Sequence, residues 1–456
     1  MKTEKLVGFI GFGEINTPID RLNLKHDQAL EILSALDADI VDAGLVIDDA
    51  EYKTADAAIA KLWGKDLSCL IVCVEGWIPT HAVIRVTDKF RHLPILLWGM
   101  CGWHHDRGHI VTTADQAGTT AIRPAFEELG YKFKYVYSVM DRPAPIEKIR
   151  SFVDAAYAVR ALRDARMGTM GYRDMLLYGT QFEGNSMRAR IGVEVEPFEM
   201  LEMMQNIEKL DPAKVAEGVK FVKETWKFEK PCDDSVIETG VKYALAIGMK
   251  VEERGWEAIS LLDVDGMKKL CGFPPAMVFM LLEHYYGVQT IPENDIMGGV
   301  TQLMMGYATG QIVPYLEYYE FFDESMLIGV PDFIPAAATQ GDVKVLPAAF
   351  GLLSASLLNV SSVKPGYVTC CRLAYKKGKY CMHCYTAEAK TPPKWEEFGW
   401  DDPAPQLCSL EVFPDSCTVE EFAQQVCGQH VIVAYGNHLE TVKDLCKLLD
   451  IELIMK

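Results

Sequence analysis

Two glutamates, Glu293 and Glu317, stand 24 residues apart on either side of one predicted helix and its turn. The segment opens as Ile291-Pro292-Glu293-Asn294-Asp295-Ile296-Met297-Gly298-Gly299-Val300-Thr301 and shows helical periodicity over 294–308. It then passes Ala308-Thr309-Gly310 and exits as Pro314-Tyr315-Leu316-Glu317 in strand-like sequence. A chain that doubles back in this way can return the second carboxylate to the first. Paired carboxylates suit a hard divalent cation, and equally a proton shuttle beside a carbonyl. On residue type alone two exposed surface glutamates are the commoner outcome, because Glu is seldom buried.

Three other clusters invite chemical readings. Cys381-Met382-His383-Cys384, preceded by Cys370-Cys371, has the composition of a zinc site. On a strand, however, Cys381 and His383 share one face while Cys384 points to the other. Four ligands on a flat hairpin do not converge to a tetrahedron, so these read as packed thiols. Gly8, Gly11 and Gly13 after Val7 follow G-x-x-G-x-G, not the G-x-G-x-x-G of a nicotinamide dinucleotide loop. Pro18 and the polar run after Gly13 delay the next helix to 27–36, which leaves a tight strand-to-helix turn. His104-His105-Asp106-Arg107-Gly108-His109 is a locally cationic loop after a strand. Such loops bind ligands in α/β proteins, and they are as often simply solvated.

The elements that must position these residues follow an α/β pattern. Strand-like runs at 6–13, 38–47, 68–76, 94–99 and 132–138 alternate with helices near 27–36, 53–64 and 115–129, and a long helix follows from Ile146 to about Arg166. This predicts three domains. The first is a doubly wound parallel sheet over 1–166. The second is a helix-rich α/β domain over 167–310, with helices at 198–208, 211–228, 234–254, 264–286 (interrupted by Pro274-Pro275) and 294–308. The third, over 311–456, is β-rich, with a hairpin around the turn K-K-G-K, a strand at 430–436 and a helix at 438–449.

Composition excludes several classes. The 456 residues are 49% hydrophobic and 24% charged, which is globular rather than disordered. A net charge of −19, from 45 basic and 64 acidic residues, argues against a nucleic-acid partner. No run approaches the ~20 apolar residues of a membrane span, and the start is not a signal peptide. Thirteen scattered cysteines in a leaderless chain read as reduced thiols in a cytoplasm.

The segment E-N-D-I-M-G-G-V-T…T-G…E, from Glu293 to Glu317, resembles the E-G-D-x-x-G-A-L-T…T-G…D segment of the L-fucose/L-arabinose isomerase superfamily without a gap. Gln429-His430-Val431-Ile432-Val433-Ala434-Tyr435-Gly436 is similar to that family's N-H-x-x-x-x-x-G strand, and Val74-Glu75-Gly76-Trp77 to its strand ending in a tryptophan. The layout matches over nearly the whole chain, while the specific motifs sit in these three places. The resemblance implies a metal-dependent aldose–ketose isomerase working on an open-chain sugar through a cis-enediol. Mn²⁺ or Mg²⁺ would be held by Glu293, Glu317 and His430, with Glu293 and Glu317 also moving the proton between C2 and C1. Trp77 would stack on substrate. Asp332 falls where many relatives have a histidine, so that position is either a carboxylate ligand or no ligand. No nucleotide cofactor is implied. Relatives are mostly homo-oligomers, hexameric or trimer-based, whose sites a neighbour's first domain completes. A non-catalytic sugar-binding sensor on the same fold is the alternative.

The substrate class stays open between an L-fucose or D-arabinose type sugar and an anionic one. His104, His105, Arg107 and His109, with Arg188 and Arg190 in S-M-R-A-R-I-G, run against the acidic average. They suit an anionic C6 group, as in sulfoquinovose, or make ordinary ion pairs with surface carboxylates.

Overall fold

A computed structural model describes residues 4–105, 108–348, 356–400, 408–415 and 417–455. Arg107 lies outside them. The protein is mixed α/β with parallel sheets, and it divides into two compact units. One comprises Met1–Ala161 with Glu440–Asp450, the other Leu162–Leu439 with Ile451–Lys456.

The first unit is built on a five-stranded parallel sheet in the order Asp39–Val46, Leu6–Phe12, Cys69–Val74, Ile95–Gly99, Phe133–Tyr137. All five were expected from apolar runs. The central Cys69–Val74 is buried at every residue, as a strand covered on both faces requires, while the edge strand Asp39–Val46 is mostly half-exposed. Crossover helices span Ile19–Leu33, Lys53–Leu62, Thr80–Thr87 and Asp115–Glu128. The first begins directly after Pro18, not at 27. Proline at a helix entrance sacrifices no intrahelical hydrogen bond, and Leu22, Lys25, His26, Ala29 and Leu33 recur on one buried face. The polar residues at 14–24 disguised that face.

The early glycines make room for side chains. A Cβ on Gly11 would lie 2.4 Å from Glu75 Oε1 and 2.5 Å from His26 Nδ1. Gly13 is similarly pressed by Leu22 at 2.5 Å.

The second unit contains a four-stranded parallel sheet, ordered Gln289–Ile291, Ala258–Ser260, Arg166–Met170, Glu194–Phe198. Helix Asp234–Arg254 packs against helices Met200–Ile207, Pro212–Thr225 and Ala276–Tyr286. The same unit holds a seven-stranded sheet in the order Gly366–Lys376, His430–Tyr435, Tyr315–Phe321, Met326–Val330, Cys408–Pro414, Lys379–Lys390, Glu452–Met455. Gly366–Lys376 also pairs with Lys379–Lys390, so six antiparallel strands close into a ring and leave Glu452–Met455 as a parallel addition. The expected boundary at 310/311 therefore falls inside one compact unit. Helix Ile296–Thr309 lies against Gly366–Lys376 and His430–Tyr435, and Leu373 N–H donates to Thr301 Oγ1 at 3.0 Å. The helix expected near 438–449 forms at Leu439–Leu449 and from Glu440 onward belongs to the first unit.

Candidate metal centre

Three elements of the second unit deliver the site. Strand Gln289–Ile291 ends in a sharp turn where Glu293 (φ 64°) and Asn294 (φ 51°) are both left-handed. That conformation costs a non-glycine residue roughly 1–2 kcal/mol and survives where its surroundings enforce it. Here Glu293 N–H donates to Asp263 Oδ1 at 2.5 Å and Asn294 N–H to Leu261 O at 3.1 Å. The Asn294 amide nitrogen donates to Thr169 Oγ1 at 3.0 Å and Met170 O at 2.8 Å. The turn reverses the chain within two residues. Asp295 then caps helix Ile296–Thr309, accepting from Gly298 N–H at 3.0 Å.

Glu317 and His430 lie directly opposite each other on adjacent antiparallel strands, where facing side chains meet. His430 Nε2 is 3.7 Å from Glu317 Oε1 and 3.5 Å from Glu293 Oε2. One ligand atom from each of Glu293, Glu317 and His430 lies within 4.8 Å of the others. Side-chain exposure rises from 0% at His430 through 12% at Glu293 to 23% at Glu317, so the imidazole forms the floor and the carboxylates open toward solvent.

His430 is held in one orientation. Its Nδ1 meets Asp295 Oδ2 at 2.7 Å. Asp295 is gripped in turn by both terminal nitrogens of Arg372, one at 2.9 Å. With Nδ1 committed, Nε2 is left to face the two glutamates, as a ligating histidine with a carboxylate behind it does. The Gln429 amide nitrogen donates to Glu293 Oε2 at 2.7 Å and lies 3.3 Å from His430 Nε2.

Electrostatics favour a cation here. Burial, opposed by His430 but reinforced by Glu317, Asp332 and Asp295, pushes the Glu293 carboxyl up to about 7. Asp332 rises to about 6 through burial and the Glu317 charge, although the Tyr315 hydroxyl donates to it at 2.6 Å. Burial alone would lower His430, but its contacts with Asp295 and Glu317 outweigh that and raise it to about 9. Asp295 stays well below the usual carboxylate range, since Arg372 and His430 overcome its burial. Carboxyls pushed upward by burial and by one another are relieved by a positive ion. The oxygen, oxygen and nitrogen donors suit Mn²⁺ or Mg²⁺, and Glu293, Glu317 and His430 fit such an ion.

Other expected site residues lie elsewhere. Trp77 is 38% exposed in the first unit, just beyond strand Cys69–Val74. His104 pairs with Asp141 at 2.9 Å, also in that unit. Arg188 is bound to the carbonyls of Arg163, at 2.8 Å, and Gly192, with Glu194 at 3.5 Å. Arg190 donates to Gly378 O at 3.2 Å. Among the thiols, Cys371 and Cys384 lie opposite each other with sulfurs 3.5 Å apart. His383 is opposite Arg372.

Sequence reading passed over Asp295, Arg372, Gln429 and Asp263. Asp295 had the mark of an N-cap before an apolar helix. Arg372 stood inside an apolar strand run, where an unpaired charge is not tolerated. Gln429 neighbours His430, but nothing singled out Asp263.

No family model and no curated protein matches the chain. Among solved structures it is similar to an ABC transporter periplasmic solute-binding protein from Actinobacillus succinogenes 130z with bound D-allose. The identity is 11%, over 67% of this chain and 92% of that one, with a TM-score of 0.19. A solute-binding protein from Agrobacterium vitis bound with α-D-tagatopyranose gives 15%, 68%, 90% and 0.17. These superpositions are too loose to bear on fold or function. No helix among the described residues is long and apolar enough to cross a membrane.

Proposed function

We propose that this protein is a divalent-metal-dependent aldose–ketose isomerase of the L-fucose/L-arabinose isomerase kind. The observation that supports it is the convergence of Glu293, Glu317 and His430, with ligand atoms within 4.8 Å of one another. A bound Mn²⁺ or Mg²⁺ would supply Lewis acidity beside the sugar's carbonyl and C2 hydroxyl. The chain's own residues do the rest. Glu293, beside that ion, is placed to give or take a proton at the sugar. With Glu317 it moves the proton between C2 and C1 through a cis-enediol. Asp295 and Arg372 keep the imidazole oriented, and Gln429 steadies the Glu293 carboxylate.

The three-domain layout, a homo-oligomer with sites completed by a neighbour and a cytoplasmic setting belong to the same reading. So does Trp77 as a stacking residue. The substrate is an aldose, and its C6 group is either apolar or anionic. An NMR screen of neutral and anionic aldoses with Mn²⁺ in deuterated water tests the proposal. Conversion with deuterium at C1 or C2, abolished in Glu293→Gln, supports it. Full activity in Glu293→Gln removes it, and bound metal without exchange into any aldose favours the sensor. Arg107→Ala or Arg190→Ala raising KM for an anionic sugar far more than for its neutral analogue would select the anionic class.

A further inference from the structure

A pocket of about 510 Å³ in the second unit contains no residue of the metal centre. Two segments build it. The turn after strand Tyr315–Phe321 is closed by Phe322 N–H, which donates to Ser325 O at 2.9 Å, and it sets Phe322 beside the buried Ser325 and Leu327. After strand Lys379–Lys390, Pro392 and Pro393 carry the chain out of the sheet, and a tight turn follows over Trp395–Phe398. Gly399 leaves that turn in the left-handed region, at φ 94°, and Trp400 N–H donates back to Trp395 O at 3.4 Å. The two indole rings are 5.1 Å apart with their planes at 61°, so they form a corner and not a flat stack. Phe322, Phe398 and Trp400 stay exposed, although large apolar side chains grouped on a surface mark a place where something binds.

The polar content of the pocket is small and of one sign. Beyond the two indoles, Ser325 and Glu411 are the only polar side chains lining it among the described residues. Glu411 lies opposite Leu327 on strand Cys408–Pro414. The Ser325 hydroxyl donates to Glu411 Oε1 at 2.6 Å, and Oε2 has no partner among the described residues. Lys390 stands opposite Glu411 on the other neighbouring strand. Its ammonium turns away, to Glu388 at 3.6 Å and over the Phe413 ring at 4.3 Å. A half-buried carboxylate is thus left without a counter-charge beside the faces of several aromatic rings. Such a charge calls for a cation, and ring faces attract cations through their quadrupole. A sugar would find too few partners for its hydroxyls, and a neutral apolar ligand would desolvate Glu411 without compensation.

We propose that this pocket binds a small organic cation of the quaternary ammonium class, its methyl groups against Trp395, Trp400, Phe322 and Phe398 and its charge beside Glu411. Such a cation has no N–H to satisfy, which fits walls that offer ring faces in place of hydrogen-bond acceptors. The net charge of −19 favours its approach. The site does not rest on the isomerase reading.

Choline and tetramethylammonium are titrated into the full-length protein, with saturation-transfer NMR on the methyl signal reporting contact and calorimetry reporting affinity. The uncharged tert-butyl analogue of choline and D-glucose serve as comparisons. The expected result is saturable binding of both ammonium probes at one site per chain, with the uncharged analogue about tenfold weaker. Trp400→Ala, Phe398→Ala and Glu411→Gln should each weaken choline binding at least fivefold. Glu411→Gln keeps an acceptor for the Ser325 hydroxyl, and Phe398 and Trp400 are exposed, so all three variants should keep the parent's urea midpoint. Absence of saturable binding by either ammonium probe overturns the proposal. So does equal binding of the uncharged analogue, or tighter binding of D-glucose. A smaller oligomer for Trp400→Ala or Phe398→Ala in light scattering would show that a second copy of the chain covers the pocket, and would overturn it as well.

Discussion

Replacing Arg372 with methionine tests the arrangement that orients His430. Arg372 is 3% exposed and Asp295 0% exposed. The Asp295 carboxylate is met by two Arg372 nitrogens, by His430 Nδ1 at 2.7 Å and by Gly298 N–H at 3.0 Å. Methionine keeps much of the apolar stem and removes the charge and both donors. Breaking a buried pair from one side costs about 3–5 kcal/mol, because the remaining charge is stranded. Gly179 O also loses its donor, at 3.2 Å, worth about 1 kcal/mol. Arg372→Met should therefore lower stability by about 4–6 kcal/mol, read as a shifted urea midpoint in circular dichroism. Adding Asp295→Asn should recover part of that, giving a coupling of about 2 kcal/mol in the double-mutant cycle. The pH dependence has a definite sign. Asp295 is depressed in the folded state, so its stabilisation is present above the ordinary carboxylate value and is lost as pH falls toward its folded value. Without Arg372 that acid-side loss should begin at higher pH. A single-variant cost below about 1 kcal/mol, or simple additivity in the cycle, would refute the reasoning.

Glu317→Gln should weaken Mn²⁺ binding at least tenfold in calorimetric titration while leaving the urea midpoint nearly unchanged, since the side chain is 23% exposed; unchanged binding would remove it as a ligand. In the first unit, burial raises Glu75 to about 7 despite His26 and Lys25, and the Glu75 and Asp42 contacts raise His26 despite its own burial. Both groups hold protons more tightly when folded, so stability should fall as pH rises from about 4.5 through 7. Glu75→Gln should flatten that slope by up to about 3 kcal/mol, and equal slopes in urea titrations at pH 5 and 8 would contradict this. Gly248→Ala places a methyl 2.0 Å from Tyr286 Cζ across two packed helices. It should destabilise by about 1–3 kcal/mol in thermal melts despite alanine's better helix propensity, and a raised Tm would show that the ring yields freely.

Local pattern sufficed where burial is uniform or periodic. The five parallel strands of the first unit announced themselves as apolar runs because both faces of that sheet are covered, and helix Asp234–Arg254 by its repeat. Glu293 and Glu317 were legible as a pair because one helix and two turns separate them, and His430 only by resemblance to a known family. The hairpin of Gly366–Lys376 and Lys379–Lys390 was legible from its turn, but closure of the six-strand ring was not, since pairing Gly366–Lys376 with His430–Tyr435 joins segments far apart in sequence. The orienting chain of Arg372, Asp295 and His430 is hidden for the same reason. Its members are separated by 77 and 135 residues, and a buried charge becomes intelligible only beside the partner that the tertiary fold brings to it.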